Sequence, residues 1–313
     1  MRVAGIDCGT NSIRLLIADA TTGESGTQLN DVLRTMKIVR LGQGVDATGA
    51  FAPEALERTF AAAKEYKKLC DEHQVEAIRF VATSAARDAS NRELFISTIT
   101  SILGVEPEVI SGDEEASLSF AGAASVLGAQ QGQALVIDLG GGSTEFVVGD
   151  ASGPLAAKSL DMGCVRVTER FHLDGLRSPQ SLAFIDSTLG TLAGAVDLSQ
   201  VKQVIMVAGT FTTLTAQALG LKEYQSEAIH GARLSFDQMR QATASMLSYS
   251  REQRLALGFM HPGRVDVIQA GAVIVERILK YLEEATGSKD LVLVASEHDI
   301  LDGIAASAAD RTQ

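Results

Sequence analysis

One short pattern occurs twice in this chain. Ile6-Asp7-Cys8-Gly9-Thr10-Asn11-Ser12 recurs as Ile137-Asp138-Leu139-Gly140-Gly141-Gly142-Ser143, 131 residues later. In both copies an apolar run ends in Asp, a glycine-containing turn follows, and a second strand-like run emerges, Ile13 to Ala18 and Glu145 to Val148. Strand-sized runs on either side of such a turn predict a β-hairpin. Two such hairpins predict a fold with two halves of the same build.

The order of elements around them repeats as well. In the first half, periodicity and turn signals predict strands at 2–7, 12–19 and 32–39, a helix at 53–72, a strand at 77–82, a helix at 91–102, a strand at 105–110 and a helix from 113. The second half gives strands at 133–138, 143–148 and 155–160, a helix at 179–194, a strand at 201–207 and a helix from 211. Further helical sequence runs to about 285, followed by a strand at 290–295 and a last helix at 299–308. Three hairpin-linked strands followed by alternating helix and strand, done twice, predict two mixed sheets flanked by helices, with a binding cleft between the halves. A length of 313 residues agrees with two domains, since single cores rarely grow past about 250 to 300 residues.

Composition narrows the function classes. Lys and Arg number 27 against 39 Asp and Glu, a net charge of −12. An acidic surface argues against a nucleic-acid backbone as partner, which needs a basic face. No stretch reaches the roughly 18 consecutive apolar residues of a membrane span, and the N-terminal residues run straight into a strand pattern with no signal-peptide core. A cytoplasmic protein with no membrane partner is expected. Cys8, Cys70 and Cys164 are far apart with no C-x-x-C pair, which reads as buried reduced thiols.

If the ligand is anionic, its binding groups must then be local. A strand that ends in Asp and turns through small residues exposes successive backbone N–H groups, and such concave nests bind phosphate. The turns are not Walker loops, because no Lys-Ser/Thr comes after the glycines, and each turn leads into a strand pattern rather than a helix. The candidate phosphate-binding groups are therefore Asn11 and Ser12 in the first turn and Gly140, Gly141, Gly142, Ser143 and Thr144 in the second. Asp138 and Glu145, with Asp7 in the first copy, are oxygen donors of the kind that hold Mg²⁺ together with water and phosphate; an Asp at a turn is also an ordinary turn-former.

Three strand-to-helix junctions carry small polar residues: Thr83-Ser84, Ser111-Gly112 and Gly209-Thr210. Helix N-termini favour anions, while plain N-capping accounts for the same residues. Ser111 and Glu114 have capping-box spacing, which gives Glu114 a structural task. Glu115, about 100° further round the helix, then projects elsewhere and is a candidate general base. Arg14, Arg87, Arg166 and Arg264 lie in or near these segments, and guanidinium forks suit phosphate oxygens. The five histidines are scattered and form no metal motif.

Together these segments resemble the exopolyphosphatase and guanosine pentaphosphate phosphohydrolase family, in its short two-domain form, within the actin, sugar kinase and heat-shock ATPase superfamily. The resemblance rests on 5–16, 82–91, 109–116, 136–146, 162–171 and 207–214. It implies an α/β fold of duplicated ribonuclease H-like domains, with the last helix crossing back to the first domain: residues 1–124 plus 297–313, and 125–296. It further implies release of terminal orthophosphate from inorganic polyphosphate by water attack, with Mg²⁺, or Mn²⁺ in its place, as cofactor. By resemblance, Glu115 matches the base, Asp138 and Glu145 the metal carboxylates, Arg87 a phosphate-binding arginine and Gly140 to Ser143 the phosphate loop; Gly209, Thr210 and Arg264 complete the candidate phosphate contacts. A homodimer is the family expectation. The alternatives are a 5′-phosphohydrolase of guanosine pentaphosphate and a non-catalytic polyphosphate or alarmone sensor. One segment departs from the family pattern: Ser296-Glu297-His298-Asp299-Ile300-Leu301-Asp302-Gly303 stands where S-G-x-G-L-R-E-G is usual.

Overall fold

The register of each hairpin is set by its turn, and the rest of each unit is assembled around it. The computed structural model describes residues 1–23, 26–123, 126, 132–288 and 290–311. The chain divides into two units, Met1–Gly122 with Ile300–Gln313, and Ala123–Asp299. The 124/125 boundary expected from the sequence lies outside the described residues.

In the first unit the elements are β1 (Arg2–Cys8), β2 (Ser12–Gly23), β3 (Gly26–Ile38), α1 (Val45–Thr48), α2 (Pro53–Glu72), β4 (Ala77–Ala82), α3 (Ser84–Asp88), α4 (Arg92–Leu103), β5 (Glu108–Val109) and α5 (Gly112–Ala123), with a C-terminal helix at Ile300–Asp310. The strands order as β3-β2-β1-β4-β5, antiparallel through β1–β3 and parallel from β1 to β5. Helix α2 starts with Pro53 at its first turn, where a missing N–H costs nothing, and buries Ala55, Leu56, Thr59, Ala62, Ala63, Tyr66 and Cys70 along one stripe. That stripe packs on Ile6, Ile13 and Leu15 of the sheet, and the Tyr66 hydroxyl donates to the Ile13 carbonyl at 2.9 Å. The C-terminal helix packs against Leu16 and Ala18 through Leu301 and Ala305. Its half-buried polar ties are Asp302 to Arg34 and Ser307 to Arg79.

The second unit holds β6 (Gln133–Leu139), β7 (Thr144–Asp150), β8 (Gly153–Leu160), α6 (Cys164–Gly175), α7 (Pro179–Gly190), β9 (Val201–Val207), α8 (Ala208–Ala218), α9 (Ser226–Ile229), β10 (Arg233–Leu234), α10 (Phe236–Ser248), α11 (Arg251–Leu255), a 3₁₀ turn at Pro262–Arg264, α12 (Ile268–Thr286) and β11 (Val292–Ala295). Its sheet runs β10-β11-β9-β6-β7-β8. Replacing β1, β2, β3, β4 and β5 by β6, β7, β8, β9 and β11 turns the first order into the second, with β10 added at one edge. The fold is thus a duplicated ribonuclease H-like α/β arrangement with two mixed sheets, as the repeat predicts.

Several local expectations change. The strand expected at 105–110 shrinks to Glu108–Val109, because Pro107 offers no ladder donor and restricts the residue before it. The helix expected from 211 begins at Ala208, directly on the end of β9, and the helix expected to 194 ends at Gly190. Helix α6, visible in the sequence only as a motif, comes directly after β8 and is kinked at His172, whose φ is 54°.

Candidate functional site

Helix α6 holds three carbonyls of the second turn. The hairpin closes with the Gly140 N–H donating to the Ser143 carbonyl at 3.1 Å. The Gly140 carbonyl accepts from Cys164 N at 3.0 Å, and the Gly141 carbonyl accepts from Val165 N at 2.8 Å and Arg166 N at 3.1 Å. The Gly142 carbonyl accepts from Arg166 Nε at 2.8 Å. All described peptide bonds are trans, and in a trans peptide the C=O and the following N–H point in opposite directions. Three carbonyls facing α6 therefore turn the N–H groups of Gly141, Gly142 and Ser143 the other way, which is the nest an anion requires. The N-terminus of α6 uses its own donors on the loop. Thr144 is fully buried, and its hydroxyl donates to the Met162 carbonyl; it anchors β7 rather than offering a ligand.

Asp138 and Glu145 are directly opposite each other across β6 and β7. They are 6% and 1% exposed, and the Ser159 hydroxyl donates to Glu145 Oε1 at 2.7 Å. Like charges opposed across a ladder repel. A pair of buried oxygen donors suits a hard divalent cation.

The first turn repeats this geometry with one change of charge. Gly9 N–H donates to the Ser12 carbonyl at 3.0 Å. The Thr10 carbonyl accepts from Gly42 N at 2.8 Å, and the Asn11 carbonyl from Val39 N at 3.1 Å and Arg40 N at 2.9 Å. The N–H groups of Asn11 and Ser12 are turned away from that support by the same peptide geometry. Asn11 Oδ1 is buried without a hydrogen-bond partner among the described residues. Asp7 is opposite Arg14, whose Nε and Nη2 lie 2.8 and 2.7 Å from Asp7 Oδ2. Asp7 thus carries the Arg14 guanidinium on its carboxylate.

Glu115 is buried on α5, and Arg87 donates from Nη1 to Glu115 Oε2 at 2.7 Å and to the Ile110 carbonyl at 3.0 Å. Burial pushes the Glu115 carboxyl up to about 7 and the charge of Asp7 adds to the rise, while the Arg87 charge and hydrogen bond and a hydrogen bond from Thr83 oppose it. A carboxyl held near neutrality can take a proton at physiological pH. Glu114 has the structural task expected of it, but by a different route. Its N–H donates to Ser111 Oγ at 3.2 Å, and its carboxylate pairs with the buried Arg79 at 2.6 Å. Thr83 makes no side-chain cap for α3; its hydroxyl serves Glu115 instead.

Gly209, Thr210 and Arg264 come together in the second unit. A Cβ on Gly209 would lie 2.3 Å from the Arg264 guanidinium carbon, so only glycine lets this arginine lie over the start of α8. Thr210 is buried and hydrogen-bonded to the Cys164 thiol, which burial raises to about 11. That thiol is therefore inert at neutral pH and packs the base of the glycine loop. Ala208 begins α8 at a φ of 71°, a conformation that costs a non-glycine residue energy and is common at functional sites.

Sequence reasoning grouped Arg14 and Arg166 with the phosphate arginines, whereas the structure gives each a specific acceptor in its own hairpin. The signal was present. Residues 7 and 14, like 138 and 145, are equidistant from their turns, so hairpin register alone pairs them.

Over residues 16–308 the sequence matches the Ppx/GppA phosphatase family. It is 46% identical to exopolyphosphatase 2 of Mycobacterium tuberculosis, over 98% of each chain. A crystal structure of an exopolyphosphatase-like protein is 43% identical, with a TM-score of 0.91 over 99% of this chain and 98% of that one. The Aquifex aeolicus member of the Ppx/GppA family is 30% identical, with a TM-score of 0.80 over 100% and 99%.

Proposed function

The chain belongs to the Ppx/GppA phosphatase family, and from that premise we propose that it is an exopolyphosphatase that releases terminal orthophosphate from inorganic polyphosphate. The observation that carries this reading is the 46% identity, along nearly the whole of both chains, with a protein named exopolyphosphatase 2. The geometry within each unit supports it. The second unit supplies the nest of N–H groups at Gly141, Gly142 and Ser143 to hold phosphoryl oxygens, and phosphoryl transfer depends mainly on such positioning and charge stabilisation.

Asp138 and Glu145 would hold Mg²⁺. Among the described residues no three His, Cys, Asp or Glu side chains group together, so the remaining ligands would be water and substrate oxygens, as Mg²⁺ commonly takes them. When bound, the cation neutralises charge on the phosphoryl oxygens. Asp7, with Arg14 on its carboxylate, is left out of this set and assigned to tuning Glu115.

Glu115 is the general base. Its ionised carboxylate takes a proton from water as the water oxygen bonds to phosphorus, and the bridging P–O bond breaks to leave a chain one phosphate shorter. Because its carboxyl sits at about 7, the rate rises with pH through neutrality as the base ionises.

The test is phosphate release with Mg²⁺ from polyphosphate, guanosine pentaphosphate and ATP, for wild type and Glu115→Gln. Polyphosphate should be preferred, with kcat lowered about 10² to 10⁴-fold in the variant and KM little changed. Preference for guanosine pentaphosphate would replace the substrate assignment. Binding without release would make the protein a sensor, and equal loss in kcat and affinity would remove Glu115 from the base role.

A further inference from the structure

The two hairpins support their turns with different donors, and this difference gives Arg166 a task. In the first turn the Asn11 carbonyl is held by two backbone N–H groups, those of Val39 and Arg40. In the second the corresponding carbonyl, Gly142, is held by a side chain, Arg166 Nε, at 2.8 Å. The peptide that this bond fixes is the one whose other end is the Ser143 N–H. Arg166 is also tied down by its own backbone, since its N–H donates to the Gly141 carbonyl at 3.1 Å. Its side chain therefore starts from a position already set by the loop, and the residue is half-buried.

We infer that Arg166 is a positioning residue of the anion nest: its Nε–H holds the Gly142–Ser143 peptide in the orientation that presents the Ser143 N–H to a phosphoryl oxygen. A glycine before this peptide leaves it free to rotate, so without the donor the peptide samples orientations that turn its carbonyl oxygen toward the anion. The role belongs to one hydrogen bond and needs no contact between the guanidinium charge and the substrate. It rests on the proposed function, in which this loop binds phosphate.

Chain length separates these roles. In Arg166→Gln the Nε2 donor is the same number of bonds from Cα as Arg Nε, without the charge, and in Arg166→Met a methyl group stands at that place. Binding of inorganic phosphate to the whole protein is measured by calorimetry beside kcat, KM and Tm. Arg166→Gln should bind phosphate within about threefold of wild type, whereas Arg166→Met should bind it about tenfold or more weakly, as expected for losing one donor to a buried acceptor, with Tm close to wild type. Equal weakening in both variants would assign the role to the charge and overturn the inference, and so would no weakening in either. If Arg166→Met does not fold, Arg166→Gln still decides: a tenfold loss of phosphate affinity at unchanged Tm overturns the inference, and retention at added salt, where a charge effect is screened, supports it. Failure of the wild type to bind phosphate or cleave polyphosphate would instead overturn the function on which it rests.

Discussion

The hairpins β1–β2 and β6–β7 have the same closure, an opposed pair at the same place below the turn and N–H groups turned out from it, yet their opposed pairs differ in one charge. Asp7 faces Arg14, and Asp138 faces Glu145. An Asp–Arg pair at 2.7 Å is complete within the protein, because charge and hydrogen bonding are satisfied together. A buried Asp–Glu pair repels and is the better host for an external cation. Duplication thus supplied two equivalent frames, and a single position, 14 against 145, separates a frame closed by an ion pair from one whose opposed carboxylates are proposed to hold a cation. The first frame is nonetheless useful, since the field of Asp7 reaches Glu115.

The largest expected effect comes from making the second hairpin like the first. Glu145→Arg should form an Asp138–Arg pair, lower turnover by about a thousandfold or more and abolish Mn²⁺ binding measured by electron paramagnetic resonance; retained metal binding would break the comparison. Next come the glycines behind the two turns. A Cβ on Gly163 would lie 2.4 Å from the backbone carbonyl carbon and oxygen of Gly141, while one on Gly42 would lie 2.2 Å from the Thr10 methyl group. Backbone gives way less easily than a side chain, so Gly163→Ala should cost about 3 kcal/mol or more in urea unfolding and Gly42→Ala about 1. Equal costs would mean that the two turns are equally rigid.

The smallest effect is a shift in pH dependence. Asp7 raises the Glu115 carboxyl, and Arg14 offsets the charge of Asp7. Arg14→Gln should therefore raise it further and move the acid limb of kcat/KM up by about half a unit, whereas Asp7→Asn should move it down. A shift of the same sign in both variants would remove the first hairpin from the tuning of the base. Linkage gives an independent check. A folded-state carboxyl raised above its unfolded value contributes stability that is full below about pH 4.5 and is lost as pH rises through about 7. Glu115→Gln should accordingly raise Tm at pH 8 relative to wild type and change it little at pH 4, a difference read by calorimetry.

Much of this was legible in the residues. The repeat at an offset of 131 predicted the duplicated order, because glycine turns and apolar runs are local signals and each hairpin is a local structure. Glu115 stood out once Glu114 had a structural task, although that task proved to be an ion pair with Arg79, a residue 35 positions away. The Asp7–Arg14 pairing was legible from equal distances to the turn. Arg166 was visible only as an arginine near a candidate segment, because its acceptor, a loop carbonyl, depends on the entry of α6 and is not encoded in residue type.

By itself, then, the sequence determined two hairpins of one build, the alternation of strands and helices, and the carboxylates and glycines at the turns, because these depend on backbone preferences over a few residues. Tertiary structure alone decided which groups from distant segments meet, such as Arg79 with Glu114 and Arg87 with Glu115, which way the loop peptides face and how far burial lifts Glu115. Those depend on neighbours brought in from distant parts of the chain, whose distances and exclusion of water set the electrostatics.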